Sequence, residues 1–584
     1  MTIAWVRPDV TGIDRVFAYS IPDHLAEQVG VGTIVRVELH RRRVRGWVCA
    51  IGGDAPVAQV ADLREVVSAG PPAVVVALAE WTAHRYAGNP VSLLRVASPP
   101  NIVAARIPPV LPLDSPGFRV EVAAIAPTED RRPLLIKQLS EFGSTLVLVP
   151  PGGNLAVLGD TIRQAGHVVV TLTGAQSPAE RTAAWRRASQ GNCVVLGGRI
   201  AVFAPVPDLA GIVMLDEGDE AFVEERAPTW NARTVALERA RRANVPITLV
   251  SPAPSLDARV LVDAVARPER DVERAHWPRL DIVDRTNEEH RVGLLTVPLA
   301  DACHRALERG ARVVMVVNRK GRVQLYACAA CHAIARCDAC GAAVAESDAG
   351  LRCSRCGLER PKVCAACFAS TLRVVRAGVT RLADDVRAVL PRATVCDVDR
   401  ETDRPGAADV YIGTEAVLHR VPRDVPIALV ALLDFDQELL APRVHAAEQA
   451  LWLCIRSARL LGARARNGVL LAQTTMPEHP VLTAVTHADP LLVADTERAV
   501  RAAMGFPPYG GLASVHGDPA AVHALRNGLA DTSVQFMGPT MQGDSAAALV
   551  RAADPTVLAD ALASALPLAR EVGKLRVAVD PQRV

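Results

Sequence analysis

Between residues 328 and 367 the chain carries four Cys-x-x-Cys turns, spaced Cys328-x2-Cys331-x5-Cys337-x2-Cys340-x12-Cys353-x2-Cys356-x7-Cys364-x2-Cys367. One such turn offers two thiolates to a tetrahedral ion, and two turns complete a four-thiolate site. Eight thiolates therefore predict a small module folded around two Zn²⁺ ions, with no open coordination position. Spacing leaves open which turns share an ion; nested pairing would join the first turn to the fourth and the second to the third. A redox Cys-x-x-Cys normally occurs once, at a strand–helix junction. Iron–sulfur spacing is tighter, of the form C-x2-C-x2-C-x3-C. The remaining cysteines, Cys49, Cys193, Cys303, Cys396 and Cys454, stand alone in apolar runs and read as small buried hydrophobes.

Reading the cysteines as ligands rather than disulfides requires a reducing compartment. The opening Met1–Arg15 has no cationic stretch followed by an apolar one. No uncharged apolar run approaches the ~20 residues that cross a bilayer. A cytoplasmic protein is expected. Its 584 residues predict several domains, and its formal net charge of +2 excludes a whole-protein field for nucleic acid. Any basic surface must be local, and it must be arginine, because lysine occurs only at Lys137, Lys320, Lys362 and Lys574.

The expected fold class is multidomain α/β. Residues 1–104 read as a β-rich domain. Gly32–Leu39 alternates like a strand, His40–Arg43 reads as a turn, and Val44–Ile51 as a second strand, which makes a hairpin with a basic tip. Ala73–Tyr86 has helical spacing. Six prolines in Ser98–Gly117 mark a linker, placed at 105–117. From 118 to 270, apolar runs at Thr145–Val149, His167–Leu172, Cys193–Leu196, Gly211–Leu215 and Ile247–Val250 alternate with helical segments, as in a parallel sheet. A second set covers 271–325 and 372–475, with strands at Ala311–Val317, Val374–Val375, Thr394–Val398, Val410–Ile412 and Ile427–Leu433. The cysteine module at 326–371 interrupts it, and 476–584 reads as a C-terminal α+β domain.

This order, with the cysteine module inserted into the second α/β lobe, resembles the primosomal protein N′ (PriA) family of replication-restart helicases. The module entry Val314–Tyr326, containing Asn318-Arg319-Lys320-Gly321, is similar to the family's Asn-Arg-Arg-Gly strand end. Gly505-Phe-Pro-Pro-Tyr-Gly510 resembles its Gly-Tyr-Pro-Pro-Phe-Gly, and Thr474–Pro480 its Asn-Pro-Glu-His-Pro segment. Phe203–Leu209 and Trp230–Arg233 also have counterparts. The resemblance implies two RecA-like helicase lobes and nested metal pairing. Cys328, Cys331, Cys364 and Cys367 would hold one ion, and Cys337, Cys340, Cys353 and Cys356 the other. It implies an N-terminal domain that binds the 3′ end of a nascent strand. It also implies partners among forked or single-stranded DNA and other primosome or replication proteins, with no membrane.

The motor motifs depart from the family. A phosphate loop needs glycines, whose amides wrap phosphate, and a lysine. Where the family carries Gly-x4-Gly-Lys-Thr, this chain reads Val122–Leu134, with Glu129, Asp130 and Pro133 and no glycine between Gly117 and Gly143. Asp-Glu-Glu-His becomes Asp216-Glu217-Gly218-Asp219, and Gly-Ser-Ala-Thr-Pro-Ser becomes Val250–Ser255. Gly413–Val421 and Ile455–Arg464, the latter at the arginine-finger motif, have lost their glycine pattern. Gly152-Gly153 and Gly197-Gly198-Arg199 read as turns. The expectation is a degenerate helicase, with no catalytic or nucleotide-binding residues, that recognises forks and supports primosome assembly. Two other readings are an active ATP-dependent 3′–5′ helicase and a zinc-ribbon protein scaffold. For DNA binding the candidates are Arg41, Arg42, Arg43 and Arg45, with Arg36 nearby, as phosphate contacts. Phe17 and Tyr19 are candidates to stack a terminal base, although alternate residues of one strand could both be core.

Overall fold

The computed structural model describes the chain except residues 1, 11, 54–59, 105–116, 287–292, 318–324, 348–349, 375–381, 399–401, 403 and 583–584. The proline-rich linker and Asn318–Gly321 thus lie almost wholly or wholly outside the described residues. Two units are distinguished. One comprises Met1–Val122, Arg131–Val250 and Gly510–Asp580; the other comprises Ala123–Asp130, Ser251–Tyr509 and Pro581–Val584.

The first unit begins with five strands, β1 Thr2–Pro8, β2 Phe17–Ile21, β3 Ile34–Leu39, β4 Arg42–Ile51 and β5 Glu65–Ser68, in the order β2-β1-β4-β3-β5. Alternation of Val35 and Val37 inward with Arg36 and Glu38 outward gives the sheet one dry face, filled by Ala4, Val6, Tyr19 and Val48. The β3–β4 connection is two residues long. His40 and Arg41 take φ of +48° and +63°, the doubly left-handed turn whose twist matches an antiparallel pair. Arg42 and Arg43, expected in the turn, are therefore strand residues. Helices α1 Ala73–Arg85 and α2 Pro90–Ala97 follow.

Next come β6 Val120–Ala124, α3 Arg132–Glu141, β7 Ser144–Leu148, α4 Leu155–Gln164, β8 Val169–Leu172, α5 Pro178–Ala188, β9 Val194–Gly197, β10 Leu209–Leu215, α6 Ala232–Ala243 and β11 Ile247–Ser251. The sheet order is β6-β11-β10-β7-β9-β8, and the pairs from β7 to β11 are parallel. Every residue of β7, β9 and β11 is buried. Helices cover both faces of such a sheet, which is why its strands read as continuous apolar runs.

The second unit contains α7 Leu256–Arg259, α8 Arg270–Ala275, β12 Arg279–Asp284, α9 Val297–Glu308 and β13 Arg312–Val316. The cysteine module then contributes β14 Tyr326–Cys328, β15 Val344–Ser347, β16 Gly350–Cys353, β17 Glu359–Arg360 and β18 Leu372–Val374. After it come α10 Leu382–Val389, β19 Val395–Val398, β20 Val410–Gly413, α11 Val417–Arg420, β21 Ile427–Leu432, α12 Asp436–Leu439, α13 Ala446–Leu461, β22 Val469–Thr474, α14 Pro480–His487 and α15 Leu491–Met504. A second parallel sheet runs β12-β22-β21-β13-β20-β19. Leu299, Val313, Leu382 and Ile412 belong to one of its cores, and Tyr411, Trp452, Leu470 and Val481 to another.

Two expectations change here. The apolar run at Val374 predicts a strand of the parallel sheet, but β18 pairs antiparallel with β14 and closes the stem of the cysteine module. Residues 480–504 were placed in the C-terminal domain, but Val481, Leu482, Val485 and Val493 complete the core of the second sheet. The C-terminal sheet, back in the first unit, consists of β23 Gly511–Gly517, β24 Gln535–Gln542, β25 Ser545–Ala552 and β26 Leu575–Val579, with α16 Pro519–Gly528 and α17 Pro555–Val572. Its order is β24-β25-β23-β26.

His479 starts α14, and its Nδ1 accepts the Val481 amide at 3.3 Å, which requires the neutral ring. Burial pulls this imidazole down to about 4, and Arg336 adds to the effect against Glu497. Unfolded, it titrates near 6.5. The unfolded chain thus binds the extra proton first, so stability falls as pH drops from about 6.5 toward 4. His479→Gln is expected to remove about 1–2 kcal/mol of acid sensitivity at pH 5, read from denaturant unfolding at pH 5 and 7.5. An unchanged pH slope would refute this.

Candidate functional site

The eight Cys-x-x-Cys thiols meet in two groups, Cys328, Cys331, Cys364 and Cys367, and Cys337, Cys340, Cys353 and Cys356. In each group all four Sγ atoms lie within 4.8 Å of one another. The shortest cross-turn separations are 3.5 Å for Cys328–Cys367, 3.6 Å for Cys331–Cys364, and 3.5 Å for both Cys337–Cys356 and Cys340–Cys353. These exceed a disulfide bond by more than 1 Å and approach the roughly 3.8 Å edge of a tetrahedron with 2.3 Å metal–sulfur bonds. The donor set fits a metal in each group, and the pairing is nested.

The groups differ in exposure and backbone. All four inner cysteines, 337 to 356, are buried, whereas Cys331 and Cys367 of the outer group are exposed. After each second cysteine the chain reverses with φ > 0, and that residue's amide returns to the carbonyl of the first cysteine. Glycine occupies this position in the inner group, at Gly341 and Gly357; His332 and Phe368 occupy it in the outer group, at +60° and +61°. Phe368 is 78% exposed.

On the N-terminal sheet, Arg41, Arg42, Arg43 and Arg45 are all exposed and make no ion pair among the described residues. Glu38 faces Arg43 across the hairpin, but its carboxylate is taken by Arg64 at 2.6 Å, and Glu65 pairs with Arg36 at 2.8 Å. The two aromatic candidates part here. Tyr19 is 4% exposed in the sheet core, where its hydroxyl donates to Glu38 O at 2.9 Å, so no base can stack on it. Phe17 is half-buried, with the Arg15 guanidinium 4.9 Å over its ring.

The loop between β6 and α3 belongs to the Val122–Leu134 segment compared in sequence with the family's phosphate loop. Within it the Ala126 amide donates to the Glu129 carboxylate at 3.1 Å, so a side-chain anion already occupies a donor. Arg131 donates to Asp216 at 2.8 Å, and Arg233 donates to Glu217 at 2.8 Å. Side-chain exposures are 3% for Asp216 and 0% for Glu217. Neither arginine was among the sequence candidates. Two sequence signals bear on them: Arg233 ends the Trp230–Arg233 segment that has a counterpart in the family, and both carboxylates directly follow the buried end of β10, where a charge must find a partner. In the second unit, Arg456 pairs with Glu415, and Arg459 donates to Pro127 O at 3.2 Å. Gly152-Gly153 is a turn whose next residue, Asn154, caps α4. Gly197 is needed because a Cβ would lie 2.1 Å from Leu172 O, and Arg199 pairs with Glu224.

Residues 6–99 match the family model of the PriA 3′ DNA-binding domain. The chain is 30% identical over 576 residues to the probable replication restart protein PriA of Mycobacterium tuberculosis, covering 88% of this chain and 86% of that protein. It is 28% identical to PriA of Treponema pallidum over 60% of this chain and 56% of that one, and 26% identical to PriA of Bacillus subtilis over 65% and 50%. The hairpin arginines fall inside the matched DNA-binding segment. This chain belongs to the PriA family of replication restart proteins.

Proposed function

We propose that the protein recognises forked or stalled replication DNA and supports primosome assembly without hydrolysing ATP. The observation that carries the second half is the pairing of Asp216 with Arg131 and of Glu217 with Arg233. In an ATP-driven motor these two acids hold Mg²⁺ and orient water. Mg²⁺ demands near-octahedral oxygens at about 2.0–2.1 Å and yields its water reluctantly. Here it would first have to displace a guanidinium from a nearly dry carboxylate. Breaking such a buried pair costs about 3–5 kcal/mol. Glu129 on the Ala126 amide opposes a triphosphate further. Phosphoryl transfer depends on positioning and charge stabilisation, and both are redirected inward here.

DNA recognition rests on the matched 3′ DNA-binding segment and on the exposed Arg41, Arg42, Arg43 and Arg45, which contact phosphates. Phe17, with Arg15 over one face, offers the stacking edge, and Tyr19 fixes the hairpin from beneath. Zinc is the metal that suits two closed, all-thiolate sites of this spacing.

Steady-state phosphate release with saturating forked DNA is expected to stay at background. Turnover that an Asp216→Asn, Glu217→Gln double variant abolishes would restore the active helicase. Turnover that survives it would identify a contaminating ATPase.

Replacing Arg41, Arg42 and Arg43 with Ala is expected to weaken fork binding at every sequence and to lower the slope of log affinity against log salt by about 2–3. An unchanged slope would make the hairpin a solvated turn and favour the protein scaffold.

Elemental analysis is expected to give two Zn per chain. Cys353→Ser should lose about one equivalent and unfold its part of the module, because structural zinc supplies folding free energy directly. Iron, or a single zinc in the unaltered chain, would refute the double site.

A further inference from the structure

Arg355 lies between two cysteines of the inner group, Cys353 and Cys356, yet its side chain is only 6% exposed. Its Nη1 donates to Cys340 O at 3.2 Å, and its Nη2 to Val444 O at 3.0 Å and to Glu497 Oε2 at 3.0 Å. One planar guanidinium thus ties a carbonyl of the inner knuckle to the segment before α13 and to the middle of α15. A backbone bond from the Ala343 amide to Leu440 O, 3.0 Å, runs beside it.

The charge does not stop at Glu497. The same Oε2 accepts from Arg501 Nε at 3.3 Å, one turn along α15. The Arg501 side chain is fully buried. Its Nη2 donates to Glu448 at 2.8 Å, and its Nη1 lies 3.0 Å from His445 Nδ1 and 3.8 Å from Asp257 Oδ2. Glu448 also accepts the Leu256 amide at 2.7 Å, at the start of α7. Asp257, His445 and Glu448 have the spacing of a cation site, but Arg501 already supplies the cation. Burial would push the Glu448 carboxyl up; Arg501 and His445 outweigh it and hold the group well below the ordinary range.

We infer that Arg355 couples the inner cysteine cluster to the second lobe, so that filling the inner site orders α15, the start of α13 and the α7 turn through Glu497, Arg501 and Glu448. The logic is geometric. Closing Cys337, Cys340, Cys353 and Cys356 on one ion fixes the backbone on both sides of Arg355 and the Cys340 carbonyl it grips. The guanidinium, being planar with donors in a fixed fork, then has one place to put Glu497. Arg501 is fully buried and Glu497 and Glu448 are largely so, each bonded to the member before it, so displacement of the first weakens the pairing of the others. Arg355 is a positioning residue. The outer cluster touches none of these groups in the described contacts, and its loading should leave them unmoved.

This inference rests on the reading that the inner cluster holds a metal. The test is amide hydrogen exchange on the full chain, with metal content measured alongside. Arg355→Leu is expected to keep two metal equivalents, yet to speed exchange at least tenfold in 255–258, 446–450 and 491–504. Cys353→Ser should loosen the same segments, while Cys331→Ser, in the outer group, should not. Unchanged exchange in Arg355→Leu, or equal loosening by both cysteine variants, would overturn the coupling. Should Arg355→Leu not fold, Arg355→Lys decides. Its ammonium reaches Glu497 but not both carbonyls as well, so a rise of at least threefold in the same segments is expected, and no rise overturns the proposal. A chain found without metal would overturn the metal reading and the coupling with it, whereas unchanged exchange in an Arg355→Leu chain that holds two metal equivalents overturns the coupling alone.

Discussion

A buried carboxylate must be neutralised, and in this chain arginine does it from within. Asp216 has Arg131, Glu217 has Arg233, and the largely buried Glu448 and Glu497 share Arg501. The guanidinium never deprotonates and satisfies a carboxylate through a fixed fork of donors. Once it sits against an acid of low exposure, no ligand is needed to complete the charge balance. All but four of the 65 basic residues are arginine, and this is where the bias becomes structural. In ATP-driven motors two acids wait for Mg²⁺ and nucleotide, and under our proposal Asp216 and Glu217 no longer do. Here the acids are already engaged.

Most of the doubly buried strands of both sheets could be read in the sequence, but the buried central strand β22 Val469–Thr474 was not among them, nor were β6 and β12. Val147, Val195, Val213 and Leu249 lie in apolar runs four to seven residues long, and the observed strands fall within two residues of the expected ends. The cysteine groups were legible for a different reason: a thiolate pair three residues apart has few other uses. What spacing could not supply was the nested pairing, which came from the family resemblance and is seen in the cross-turn distances.

The misreadings share a cause, since each concerns a segment whose partner is far away in sequence. Leu372–Val374 reads as a short strand in any sheet, and only the stem it forms with Tyr326–Cys328 fixes its place. Helices α14 and α15 look like the start of a new domain after a proline cluster, but their apolar faces complete an older core. Tyr19 and Phe17 share one face of a strand. The signal that would have separated them is the inward register of Tyr19 over Glu38, which requires the hairpin to be paired first. Arg355 is the hardest case. Between two cysteines it looks like a solvated residue of a zinc ribbon, and its reach to Glu497, 142 residues away, has no local signature.

The knuckle geometry sets an order in which the two metal sites would be lost. In the inner group the left-handed position falls to Gly341 and Gly357, which adopt it at no steric cost; the outer group asks the same of His332 and Phe368. Each of those L-residues carries about 1 kcal/mol or more of backbone strain, and metal bonds must hold it down. Two outer ligands also face solvent, where chelators and oxidants arrive, while the inner four do not. When metal runs short the module would therefore empty first at the outer group beside its stem, before the buried inner group lets go. A protein built this way meets scarcity in two steps and keeps its architecture through the first.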